Sequence, residues 1–231
     1  MGAIYLVRHG QAAYGTDDYD RLTDVGFAQS RLLGEYFALR RIRFDALYTG
    51  ELRRHLETAQ GILQGNAPGA GVPHAYTIAA LNEYSAEALV LAHTGTRPMP
   101  DPAAARRDPM HVRDRFRVLK QALLAWTEGR ILPPGMPAWQ AFQDAAVAAL
   151  VDARRHFPDG NVLMVSSGGP ISATVAAVLK APAQSAIELN LRMRNSSLTE
   201  FACSVRRHSL VSFNALPHLD THSDPSLVTY A

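Results

Sequence analysis

Residues 3–10 read Ala3-Ile4-Tyr5-Leu6-Val7-Arg8-His9-Gly10, an apolar run that stops abruptly at an arginine, a histidine and a glycine. A short apolar run with aromatic and branched side chains, closed by polar residues, is the signature of a buried strand. Such a strand carries a guanidinium and an imidazole to its carboxyl end, the edge at which open α/β sheets bind their ligands. Arg8 brings a permanently charged fork of donors that fits phosphate oxygens. His9, with an ordinary pKa near ~6.5, keeps a nitrogen lone pair at neutral pH and can act as a nucleophile. Gly10 lets the backbone come close.

Working outward, residues 11–21 form a loop, and Thr23 is placed to cap a helix running to about residue 40. Val25, Ala28, Leu32, Tyr36 and Leu39 recur at helical spacing and are predicted to face the core. Residues 44–48 read as a second buried strand, turned by Thr49-Gly50 into a helix over about 51–63. Alternating strands and helices imply a parallel sheet covered on both faces. The middle differs: residues 64–73 are rich in Gly, Ala and Pro, and residues 94–109 carry four prolines, so both read as loop. Phe116, Leu119, Leu123 and Trp126 mark one long helix, and Trp139, Phe142, Ala146, Leu150 and Ala153 another beyond a proline-rich break at 132–137. Strand returns at 161–166, helix at 168–180, and strands at 197–203 and 209–213. The expected architecture is a three-layer α/β/α sandwich around a mostly parallel sheet. It is read as one domain over 1–231, with a helical cap inserted over about 81–136, after the third or fourth strand.

Composition narrows the partners. A formal charge of +2 on 231 residues, with no dense block of Lys and Arg, argues against nucleic acid or a membrane surface as ligand, so any positive field must be local. No stretch reaches the roughly 18 apolar residues of a membrane span. The lone Cys203 excludes an intrachain disulfide and, with residues 1–7 entering a strand pattern directly, leads to the expectation of a cytoplasmic protein. His218 and His222 flank Asp220, but nothing completes a ligand set around them; they read as solvated histidines, and no metal is expected. Oligomeric state leaves no trace in the sequence.

Four segments fall at or just after predicted strand ends: Arg8-His9-Gly10, residues 52–59 (Leu-Arg-Arg-His-Leu-Glu-Thr-Ala), Leu81-Asn82-Glu83, and residues 165–170 (Val-Ser-Ser-Gly-Gly-Pro). With residues 22–26, Gln29 and Asn195-Ser196-Ser197, the chain resembles the histidine phosphatase superfamily, the phosphoglycerate mutase-like family. The resemblance implies that His9 accepts a phosphoryl group to give a phosphohistidine that water hydrolyses, splitting one displacement into two easier ones. It implies that Arg8 and Arg54 hold the nonbridging oxygens, since phosphoryl transfer is catalysed mainly by positioning and charge stabilisation. Glu83 matches the acid that protonates the leaving oxygen, which requires a raised pKa. No metal or organic cofactor is implied.

The chain departs from the family pattern at Ser167, which stands in the slot of a second histidine. Losing one preorganised donor of that kind typically costs about 10²–10³ in rate. The Ser167 hydroxyl and the turn Gly168-Gly169-Pro170 into a helix offer other donors at the same spot. His55 is a candidate for the missing cation, although adjacent helical positions point about 100° apart. Gln11, Ala12 and Gly15 also depart from the usual first loop, and Glu87, one turn beyond Glu83, is a rival acid. Ser167 does not satisfy the nucleophile elbow Gly-x-Ser-x-Gly, because Val165 occupies the first glycine position. Arg53 reads as surface charge, and Trp126 and Trp139 as core.

The expected activity is hydrolysis of small phosphomonoesters through a phosphohistidine at His9. Phosphoglycerate-mutase-type transfer would use the same pocket, but the cap lacks a long polar insertion. A catalytically weak or inactive relative that only binds a phosphorylated ligand is the third reading, and Ser167 is its basis.

Overall fold

The computed structural model describes residues 2–16, 18–66, 73–95, 109–204, 207–220 and 222–230. Six strands form one sheet: β1 (Gly2–Arg8), β2 (Ala46–Thr49), β3 (His74–Thr77), β4 (Val162–Ser166), β5 (Leu198–Cys203) and β6 (His208–Ala215), in the order β3-β2-β4-β1-β5-β6. The pairs β1/β4, β2/β4 and β2/β3 are parallel, while β5 runs antiparallel to both β1 and β6. The helices are α1 (Asp24–Leu39), α2 (Arg53–Gly65), α3 (Ala86–Thr94), α4 (Pro109–Thr127), α5 (Trp139–His156), α6 (Gly168–Val178) and α7 (Ala183–Asn190).

Side chains alternate across β1, as the pleat requires. Ile4 and Leu6 join a core with Leu150 and Ala153 of α5 and Ile171 and Val175 of α6. Tyr5 and Val7 join a second core with Leu33 and Phe37 of α1 and Ile62 of α2. The sheet is therefore covered on both faces, as the alternation of strands and helices implied. A third cluster ties Leu89 of α3 and Leu123 and Trp126 of α4 to Trp139, Ala173, Ala176 and Ile187. Helices α3 and α4 thus share their core with α5, α6 and α7. Trp126 and Trp139 are both core, packed edge to face.

Three expectations need correction. The fully buried face of α1 is made of Gly26, Gln29, Ser30, Leu33, Gly34 and Phe37; of the predicted set, Tyr36 packs partly buried against the core, and Leu39 is 82% exposed. Small residues won because α1 lies directly on α2: a Cβ at Gly34 would strike the Ile62 carbonyl, one at Gly65 the Arg31 carbonyl, and one at Gly61 would sit 2.6 Å from Ser30 Cβ. Edge strand β3 has no sequence signal, since all four of its residues are exposed. Helices α3 and α7 were also not foreseen. The remaining boundaries agree within a few residues, with Thr23 accepting from the Gly26 amide as the α1 cap. Most of the expected loops over 64–73 and 94–109 lies outside the described residues.

Candidate active site

The register of β1 and β4 builds the site. Arg8 pairs with Ser166, and the His9 amide donates to the Ser166 carbonyl at 2.9 Å, so His9 and Ser167 emerge side by side at the carboxyl ends of two adjacent parallel strands. β2 ends next to them, and its turn at Gly50 leads into α2, whose first turn supplies Arg54 and His55. The Gly10 amide donates to Thr58 Oγ1 at 3.0 Å, and that hydroxyl donates to the Arg54 carbonyl at 2.7 Å, which fixes the nucleophile loop against α2. Gly10 is needed for packing rather than for ligand access: a Cβ there would lie 2.5 Å from the Gly26 carbonyl of α1.

His9 is buried, and its Nδ1 lies 2.7 Å from the Gly10 carbonyl. A carbonyl can only accept, so Nδ1 carries the hydrogen and the lone pair is on Nε2. Burial, reinforced by Arg8, Arg54 and His55, drives the His9 pKa well below its ordinary value, which keeps that lone pair free at neutral pH. Both arginines are also buried. One Arg8 Nη donates to the Met193 carbonyl, and one Arg54 Nη pairs with Asp20 at 2.6 Å under the Tyr19 ring, 5.3 Å from the guanidinium. The Nε atoms of Arg8 and Arg54 are buried with no partner. Buried donors without acceptors are costly and uncommon. Two of them beside a neutral imidazole mark a place for an anion with several acceptor oxygens.

Glu83 follows the single 3-10 turn after β3, Ala79–Leu81. Its carboxylate accepts the Gly169 amide at 3.1 and 3.3 Å, which brings it to the start of α6. Burial raises its pKa, opposed by the Gly169 and Tyr84 amides and by Arg54 and Arg8. Glu87 is exposed in the first turn of α3 and has no such position. The Gly169 amide is thereby committed to Glu83, contrary to the expectation that the whole Gly168-Gly169-Pro170 turn would face an anion. Gly168 packs against the Asn190 side chain, which in turn donates to the Tyr84 hydroxyl at 2.7 Å.

His55 also departs from expectation. Its Nε2 lies 2.7 Å from Ser167 Oγ, although the helical offset from Arg54 argued against contact. It brings no cation, because burial and Arg54 hold its pKa at about 3. Asp20 and Tyr19 were missed altogether, lying in a loop with no periodic signal. Gln11 turns away, its side chain accepting from Thr23 and its amide donating to Gln29. Arg53 is exposed and pairs with Glu57 and Asp18. His218 is buried against Ser196 at 2.9 Å, not solvated. Among the described residues no group of three or more His, Cys, Asp or Glu is placed to hold a metal, and no helix is long and apolar enough to cross a membrane.

The fold has counterparts. A phosphoserine phosphatase variant from Entamoeba histolytica, solved with phosphoserine, superposes with a TM-score of 0.63 at 20% identity over 95% of this chain and 100% of its own. Mycobacterial glucosyl-3-phosphoglycerate phosphatase gives 0.61 at 22% over 92% and 98%. Phosphoglycerate mutase from Bacillus anthracis gives 0.62 at 17% over 94% of each chain. None of the curated proteins matches the chain. The model of the histidine phosphatase superfamily (branch 1) matches residues 4–94 and 105–216, and the chain belongs to that superfamily.

Proposed function

We propose that the protein is a phosphatase that hydrolyses small phosphomonoesters through a phosphohistidine at His9. The observation that carries this reading is a neutral imidazole with its Nε2 lone pair free, set among two buried guanidinium groups whose Nε donors lack partners. His9 Nε2 attacks phosphorus, and the P–O bond to the leaving group breaks. Arg8 and Arg54 hold the nonbridging oxygens as charge redistributes, with Asp20 giving way to the substrate on Arg54. Glu83, whose pKa burial raises, gives its proton to the leaving oxygen. Water then attacks phosphorus, giving a proton to Glu83 as the P–N bond breaks and its electron pair returns to Nε2, and phosphate leaves with His9 restored. Ser167 and Gly168 supply further donors at the start of α6. No step calls for a metal or an organic cofactor.

Residues 81–136 would serve as the cap that selects the substrate, since α3 and α4 are anchored through the third core cluster to α6, whose first residues adjoin the pocket. The relatives solved with phosphoserine and named for glucosyl-3-phosphoglycerate suggest which esters to try. Purified protein should release phosphate from p-nitrophenyl phosphate, phosphoserine or 3-phosphoglycerate, and His9→Ala should abolish the release. Activity that survives His9→Ala would overturn the assignment.

A further inference from the structure

Ser167 is a donor in the chemistry above, but its buried partner His55 has no part in it. His55 is fully buried on α2, its Nε2 2.7 Å from Ser167 Oγ and its ring centroid 5.8 Å from that of His9. Ser167 is the residue before α6, yet its hydroxyl makes no capping bond to that helix. Its partner is the imidazole.

The His55 ring is neutral and carries one N–H, so its tautomer decides what Ser167 offers the pocket. With the hydrogen on Nδ1, Nε2 accepts, the hydroxyl hydrogen turns toward His55, and only lone pairs face the phosphoryl site. With the hydrogen on Nε2, the imidazole donates to Oγ, and the hydroxyl hydrogen is released toward the pocket. Nδ1 has no hydrogen-bond partner and lies against Gly50, where an added Cβ would strike it. A buried N–H without an acceptor is less tolerated than an unfilled acceptor, which favours the Nε2–H form.

We propose that His55 is a positioning residue whose Nε2–H donates to Ser167 Oγ and so aims the Ser167 hydroxyl hydrogen at a phosphoryl oxygen of the substrate on His9. The inference rests on the phosphatase reading. The pair supplies one oriented donor beside His9 without adding a third positive charge to a pocket that already holds two arginines. Residues that act by orienting another ligand typically contribute about 10- to 100-fold.

A double-mutant cycle tests this. With p-nitrophenyl phosphate, His55→Ala and Ser167→Ala should each lower kcat by about 10- to 100-fold with little change in KM. The double variant should be no worse than either single one, because the two act as a unit. His55→Gln, which keeps an amide N–H near the Nε2 position, should recover part of the loss. In 15N-histidine spectra the resonance lost in His55→Gln should show the Nε2–H tautomer. Losses that multiply, full kcat in His55→Ala, or an Nδ1–H tautomer would each overturn the proposal. If His55→Ala fails to fold, His55→Gln and Ser167→Ala carry the comparison. If the wild-type chain turns over no ester, the phosphatase reading fails, and the pair is judged by orthovanadate binding in calorimetry. Equal weakening in both single variants would support it, and unchanged affinity would sink it.

Discussion

Two buried serine–histidine pairs flank His9, and they differ in what surrounds them. On one side His55 meets Ser167 at 2.7 Å; on the other His218 meets Ser196 at 2.9 Å. Both imidazoles are pushed down to about 3 by burial, and in both Nδ1 has no partner. The next cause separates them: Arg54 for His55, His222 for His218. Ser167 stands at the mouth of a helix beside two anion-seeking guanidiniums. Ser196, with a left-handed φ of 55°, uses its amide to hold the His9 carbonyl at 3.1 Å. One pair thus offers a side-chain donor to a ligand, while in the other it is the serine's backbone amide that braces the nucleophile. Backbone placement separates them: Ser167 precedes α6, and Ser196 turns its amide onto the His9 carbonyl.

The largest expected effect is at the residue between the pairs: His9→Ala should reduce turnover to background in a phosphate-release assay while leaving both pairs intact. Next, Arg54→Gln should lower turnover by about 10²–10³-fold. It should also raise the pKa of His55 and leave that of His218 unmoved, as followed by histidine NMR titration; equal movement of both would erase the distinction drawn here.

The two pairs should share one acid response. Each histidine titrates near 6.5 when unfolded and about 3 when folded, so between those values the unfolded chain binds the extra proton. Stability is then complete above pH 6.5 and falls as the pH drops toward 3, by about 1.4 kcal/mol per pH unit for each histidine. Urea denaturation of His218→Gln should show a slope shallower by one such proton. The smallest effect is expected for Ser196→Ala, which leaves His218 Nε2 unpaired. It should cost about 1–3 kcal/mol in stability with kcat per folded molecule unchanged, the reverse of the pattern expected for Ser167→Ala.

Much of this was legible in the sequence where burial and chemistry coincide. Residues 3–10 announce their strand because both faces of β1 are covered, and His9 and Ser167 sit just past the ends of the mostly buried strands β1 and β4. Legibility failed where packing depends on small residues. Ser30 and Gly34 lie on the buried side of α1 because α2 needs backbone contact there, and Gly26 because the chain at Gly10 and Gln11 does; no hydrophobic pattern reports that. It also failed at β3, an exposed edge held by pairing alone. His55 was misjudged for another reason. The 100° offset is real, but the pocket wraps around the first turn of α2, so Arg54 reaches one wall while His55 reaches another.

Rapid-quench labelling of the wild-type chain with a 32P-phosphomonoester, followed by peptide mapping under alkaline conditions, measures the chemistry most directly. The label should appear within one turnover as an acid-labile phosphoryl group on the peptide containing His9, and it should vanish on hydrolysis. A phosphoryl group on Ser167, or turnover with no covalent label at all, would contradict the assignment of His9 as nucleophile.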